Sequence, residues 1–158
     1  MKLIIAGVDF SPVSSEVVST AAAVARGSGA RLLLWHAVMM PNAIAVYQMA
    51  GDEAPAFLES AARDAKERLS ILGRGVADVA VESGCSRGTP AAEICRAARG
   101  RQADLIVVGS HGHGSLYEFL IGTTTQGILK DARCPVVIVP ATRAGIARRE
   151  TTAAAGLR

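Results

Sequence analysis

The stretch DLIVVGSHGHGSLYEFLIGTTTQG, Asp104 to Gly127, joins a short apolar run to a segment holding five glycines. Asp104 to Val108 reads as a buried strand. A plain turn after it needs one or two glycines, not five. Gly109, Gly112 and Gly114 permit positive φ or close backbone approach, so the N–H groups around Ser110 to Ser115 can turn inward as an anion-binding nest. Gly122 followed by Thr123, Thr124 and Thr125 reads as a helix start with hydroxyl caps, whose N–H groups and dipole also favour phosphate. Both halves of the stretch point to a polyphosphate.

The same strand-then-helix alternation extends in both directions. Leu3 to Val8 is an apolar run ending at Asp9. Ser11 is placed to cap a helix opened by Pro12, with Val13, Val17, Ala21 and Val24 at helical spacing up to Gly27 and Gly29. Arg31 to Val38 is a second run, too continuously apolar for a one-faced strand. Met39 to Gly51 has no period and reads as a long connection. Leu58, Ala62, Ala65, Leu69 and Leu72 then mark a helix face, with Asp64 and Arg68 four apart on its wet side. Val76 to Val81 alternates like a third strand. Thr89 and Pro90 repeat the cap-plus-proline start before Ile94 and Ala98, and Val136 to Val139 is a fifth strand between two prolines.

Five strands joined by helices make a parallel sheet covered on both faces, an α/β architecture. Ligands in such sheets bind beyond the carboxyl ends of the strands, where the strand order reverses. In the order 3-2-1-4-5, Asp9 and the glycine segment flank that point.

Composition narrows the function. The chain has 158 residues, 50% of them apolar, enough for one domain with a real core. The N-terminus MKLIIAGVDFS reads as a first strand rather than a signal peptide, and no stretch approaches the roughly 20 apolar residues that span a bilayer. Cys85, Cys95 and Cys134 are odd in number and lack C-x-x-C spacing, which suits buried thiols in a reducing cytoplasm. Through Pro140, 13 Lys and Arg balance 13 Asp and Glu, so the net charge of +3 comes from the last 18 residues. That tail, residues 141–158, reads as a basic, flexible terminus rather than a nucleic-acid arm, and the few scattered aromatics argue against base stacking.

Neighbouring motifs fail. G-x-G-x-x-G would need a glycine at Tyr117, G-x-x-x-x-G-K-[ST] has no lysine in the loop, and no G-x-S-x-G elbow is present. His111 and His113 form an i,i+2 pair without a third ligand, which is no metal site. His36 at a strand end reads as a satisfied structural histidine.

The spacing G-x-x-G, nine residues, G-[ST] is met by Gly109, Gly112, Gly122 and Thr123. With VDFS at Val8 to Ser11, LLLWHAV, GTPAAEI at Gly88 to Ile94, ADLIVVGSHG and CPVVIVP, the chain from Leu3 to Pro140 resembles the ATP-binding branch of the universal stress protein family. The resemblance implies a Rossmann-like fold of the adenine nucleotide alpha hydrolase type over residues 1–140. It implies that Asp9 faces the ribose and adenine side, that the backbone near Ala37 and Val108 borders the base, and that Gly109, Ser110, Gly112, Gly122, Thr123 and Thr124 hold phosphates. Ala37 stands where the family more often has a larger aliphatic, and Thr124 where it more often has an apolar residue. Gly7 is expected to loosen the base-side wall.

The resulting expectation is a cytoplasmic, stress-associated protein binding ATP, ADP or AMP, with Mg²⁺ or Mn²⁺ carried on the phosphates and no protein metal site. It acts as a nucleotide-dependent switch or interaction protein. A slow ATPase or phosphotransfer enzyme and a ligand-free dimeric interaction module are the alternatives. No catalytic residue is assigned. Val136 to Val139 is expected at a sheet edge, where a second copy can pair with it in a homodimer.

Overall fold

In the computed structural model, which describes residues 1–39, 53–110 and 121–140, strands and helices alternate along the chain. They are β1 (Leu3–Gly7), α1 (Ser14–Ser28), β2 (Arg31–Val38), α2 (Glu53–Arg74), β3 (Val81–Arg87), α3 (Pro90–Gly100), β4 (Leu105–Gly109), α4 (Thr123–Asp131) and β5 (Val136–Val139). All strand pairs are parallel, in the order β3-β2-β1-β4-β5. The expected architecture and order are therefore both present.

Strand alternation sorts the core into two layers. Ile4, Ala6, Leu32, Leu34, Leu105 and Val107 point to the face covered by α1 and by Leu69 of α2. Leu3, Ile5, Leu33, Ile106 and Val108 point to the other face, against Ala91, Ile94, Cys95 and Ala98 of α3 and Ile128 of α4. Period 2 within continuous apolar strands is what a sheet buried on both sides requires.

Two local expectations are corrected. The third strand is Val81–Arg87 rather than Val76 to Val81. Val76 and Val79 do pack on the core, but from the connection ahead of the strand. The strand itself, VESGCSR, lies at the sheet edge and is only half-buried, so it carries no apolar period for a sequence reading to catch. Gly84 within it is demanded by packing, because a Cβ there would sit 2.4 Å from Cζ3 of Trp35. The Trp35 indole Nε1 then donates to Ser86 Oγ at 3.2 Å across the strand pair.

The second correction is at the start of α1. The helix begins at Ser14, not Pro12, and Ser11 does not cap it: its hydroxyl is buried without a hydrogen-bond partner. Asp9 organises the turn ahead of the helix instead, and no side chain caps α1. Its Oδ1 accepts from the Ser11 backbone N–H at 2.9 Å and from Ser14 Oγ at 3.0 Å. An Asx turn outcompetes the serine cap, and the helix starts two residues later. The helix ends as expected at Gly29, whose φ of 65° is the left-handed C-terminal conformation that glycine adopts without steric cost.

The three cysteines are free thiols. Burial pushes the Cys95 and Cys134 thiols above their ordinary range, which makes them inert packing residues. No helix among the described residues is long and apolar enough to cross a membrane.

Candidate functional site

The sheet brings the carboxyl ends of β1, β2 and β4 together. β1 is central, with β2 on one side and β4 on the other, so the crevice between β1 and β4 is the point where strand order reverses. Gly7, Asp9, Ala37, Val108, Gly109 and Ser110 all lie at these ends. Gly112, together with His111, His113, Gly114 and Ser115, lies outside the described residues.

On the β1 side, the half-buried Asp9 carboxylate is oriented by Ser11 N–H and Ser14 Oγ, as described above. Ser14 was not foreseen as a site residue. The signal was present in the sequence as D-x-S-x-x-S, which offers one carboxylate a donor two and five residues on. Gly7 does not loosen the wall as expected. A Cβ at this position would lie 2.8 Å from Cδ1 of Ile94 and 2.9 Å from Cγ1 of Val108, so those two side chains already fill the space. Val108 and Ala37 are themselves buried, at 4% and 6% exposure. Each therefore has its backbone, rather than a protruding side chain, to offer a base.

On the β4 side, α4 is tied directly to the strand end. Thr125, 3% exposed, donates through Oγ1 to the Gly109 carbonyl at 2.8 Å. The Gly122 N–H donates to the Ser110 carbonyl at 2.8 Å, and the Ser110 N–H to the Val139 carbonyl at 2.7 Å. The first intrahelical bond runs from Gln126 N–H to the Gly122 carbonyl at 3.0 Å. The N–H groups of Thr123, Thr124 and Thr125 thus belong to the first turn, where a helix offers no intrahelical acceptor, and that turn is tied to the end of β4.

The helix start was legible, its capping was not. The N-cap is Gly122, which has no side chain to bond with, and the threonine hydroxyl with a structural task is Thr125. Thr123 is exposed and Thr124 half-buried. Thr89, foreseen as a cap of α3, holds the N-cap position but makes no side-chain cap bond. Replacing Thr125 with Val keeps its shape and leaves the half-buried Gly109 carbonyl without this donor. We expect a loss of about 1–2 kcal/mol in urea denaturation. An unchanged midpoint would show that the tie contributes nothing.

His36 is satisfied structurally, as expected: its Nδ1 lies 2.7 Å from the Val8 carbonyl. Beside β2, the Glu93 carboxylate pairs with Arg96, which together with the Ser86 hydroxyl holds its carboxyl below the usual range. Among the described residues, no group of three or more His, Cys, Asp or Glu is arranged to hold a metal ion.

Comparison with known proteins bears on this arrangement. The model of the universal stress protein family matches residues 1–140. A universal stress protein of Thermus aquaticus is 30% identical over 138 residues, covering 87% of this chain and 98% of that protein. A relative from Mycobacterium tuberculosis is also 30% identical, but the chain spans only 44% of its length. Among solved structures, universal stress protein UspA from Lactobacillus plantarum superposes with a TM-score of 0.75 at 24% identity, covering 87% of this chain and 97% of that one. A universal stress protein in complex with cAMP gives 0.60 at 24% identity, with 89% and 98% covered. One from Archaeoglobus fulgidus in complex with dAMP gives 0.63 at 21%, with 87% and 97% covered. Family match, parallel sheet order and the arrangement of strand ends agree: the chain belongs to the universal stress protein family.

Proposed function

We propose that the protein binds an adenine nucleotide, ATP, ADP or AMP, in the crevice beyond β1, β2 and β4, and that occupancy switches its interactions with a partner. The observation that carries this reading is the meeting of two oppositely suited ends at one point. An oriented carboxylate, Asp9, stands at the end of β1, and the N-terminal turn of α4 is bonded to the end of β4. A carboxylate suits ribose hydroxyls, and unpaired helical N–H groups suit phosphate. The solved relatives holding cAMP and dAMP support the ligand class.

In this reading Asp9 takes the sugar, and the backbone at Ala37 and Val108, beside Gly7, borders the base. Gly109, Ser110, Gly112, Gly122, Thr123 and Thr124 take the phosphates. Mg²⁺ or Mn²⁺ would arrive with the nucleotide, with Ser110 or the threonine hydroxyls available to contact it. Residues 141–158 are a tail outside this binding unit, and the setting is a cytoplasmic stress response. Mass identification of small molecules released on denaturing the purified protein tests the reading: an adenine nucleotide supports it. Asp9→Ala is expected to weaken ATP and adenosine alike, by about tenfold each, because hydrogen bonds to a charged group contribute roughly 1.5–3 kcal/mol. An effect confined to the phosphorylated ligand would misplace Asp9.

Assembly as a homodimer belongs to the same proposal. β5 is the last strand of the sheet, and no described strand pairs with its outer side. The Pro135 and Val139 carbonyls accept from Ile106 and Ser110 at 3.0 and 2.7 Å. In a parallel ladder alternate residues face the same neighbour, so Val136 and Ile138 direct their N–H and C=O groups outward. A second copy pairing there through Val136–Val139 satisfies them by two-fold symmetry. Ile138→Pro removes an outward N–H and is expected to give monomer in light scattering. Dimer retained in this variant, or a monomeric wild type at micromolar concentration, would remove β5 as the interface.

A further inference from the structure

Phe10 sits between Asp9 and Ser11 with φ of 61°, a left-handed conformation that a bulky L-residue adopts only when its surroundings hold it there. Glycine would take this φ without steric cost, so the chain has traded backbone ease for an aromatic ring. That ring is gripped from two sides. The Arg68 guanidinium, from α2, lies 4.0 Å from its centroid. The His36 imidazole, near the end of β2, lies 4.6 Å from it, tilted by 37°. His36 is anchored in turn by the contact of Nδ1 with the Val8 carbonyl at 2.7 Å, which returns the chain of contacts to the residue before Asp9. Phe10 also packs against Val38, Leu58 and Ala65. The bonds from Ser11 and Ser14 orient the carboxylate within its own turn, whereas the ring fastens that turn to β2 and α2.

We propose that Phe10, clamped between His36 and Arg68, positions Asp9 for nucleotide recognition, which makes Arg68 a positioning residue acting from α2. The proposal rests on the nucleotide-site reading above and deepens it. Arg68 suits the task because its side chain is 48% exposed and only loosely paired with Asp64, at 3.6 Å. The clamp borders an open cavity of about 430 Å³ lined by Phe10, Ser11, Pro12, Arg68, Ile71 and Leu72 among others, so a change at Arg68 leaves the two core layers intact.

The test uses the full chain with Arg68→Met, Arg68→Lys and Phe10→Gly, the last of which relieves φ while deleting the ring. Amide exchange at Ser11 reports the turn, since its N–H donates to Asp9 Oδ1. Calorimetry with ATP and adenosine reports recognition. Arg68→Met is expected to lower Ser11 protection, and affinity for both ligands, by about fivefold, with Lys restoring them to within about twofold because it keeps the cation. Phe10→Gly is expected to lose about tenfold or more, although its backbone is relaxed. Wild-type Ser11 protection in both Phe10→Gly and Arg68→Met overturns the proposal, as does unchanged adenosine affinity in both. A wild type that binds no adenine nucleotide removes the site reading instead, and the Ser11 exchange rates then decide the clamp alone.

Discussion

Gly109→Val is expected to lower adenine nucleotide affinity by at least about a hundredfold, the equivalent of losing one or two charge-assisted hydrogen bonds. Gly109 is the last residue of β4, opposite Val139, half-buried, with its carbonyl engaged by Thr125. In the proposed site a β-branched side chain here would obstruct the close approach of a phosphate to backbone N–H groups. Gly112→Val, in the glycine segment outside the described residues, is expected to act in the same way. The fold should persist in Gly109→Val, because Gly109 is not among the residues of the two core layers. Calorimetry against ATP, with circular dichroism as the folding control, decides the matter. Equal binding by wild type and both variants would end the assignment of phosphates to this segment.

ATP turnover is expected to stay far below the roughly 1–100 per second typical of kinases. Phosphoryl transfer is accelerated by positioning and by cations that neutralise the transferred group, with a residue to orient the nucleophile. Between Gly109 and Gly127 the sequence has no Lys or Arg, and its only carboxylate is Glu118. The α4 start adds N–H groups and threonine hydroxyls, which would hold phosphate in the proposed site but carry no full charge. Charge neutralisation would be left to a divalent ion arriving with the nucleotide, and slow hydrolysis is the most that this supports. Steady-state ATPase with Mg²⁺, beside Gly112→Val, checks it. Fast turnover abolished in that variant would mean that the protein is an enzyme and that the binding-protein reading is wrong.

Legibility in the sequence followed the continuity of apolar runs. β2 and β5 were readable to the residue, and β1 and β4 to within one, because their apolar runs are continuous and their ends are marked by Asp9, Gly109 or proline. β3 was misplaced because VESGCSR, half-exposed and carrying Gly84 beneath Trp35, has no apolar run, unlike the other edge strand VVIV. The helix faces of α2 and α3 were legible in the positions of Leu58, Ala65 and Leu69, and of Ile94 and Ala98, all buried. Their start signals were less trustworthy. Ser11 and Thr89 are the right residue types at helix beginnings, but neither side chain makes the cap bond.

What the sequence determined by itself was the alternation of elements, hence the parallel sheet, and the gathering of glycines after β4. Both follow from local physics: the period of apolar residues selects strand or helix, and glycine density marks close backbone approach. Only the tertiary structure decided which polar groups partner one another. The Gly109 carbonyl gained Thr125, and Phe10 came into contact with His36 and Arg68, residues 26 and 58 positions further on. It also decided that Gly7 is a packing glycine, since Ile94 and Val108 fill its space. Such choices depend on a few ångströms between distant segments. Hydrogen bonds and ring contacts fall away steeply over that distance, and no residue period encodes it.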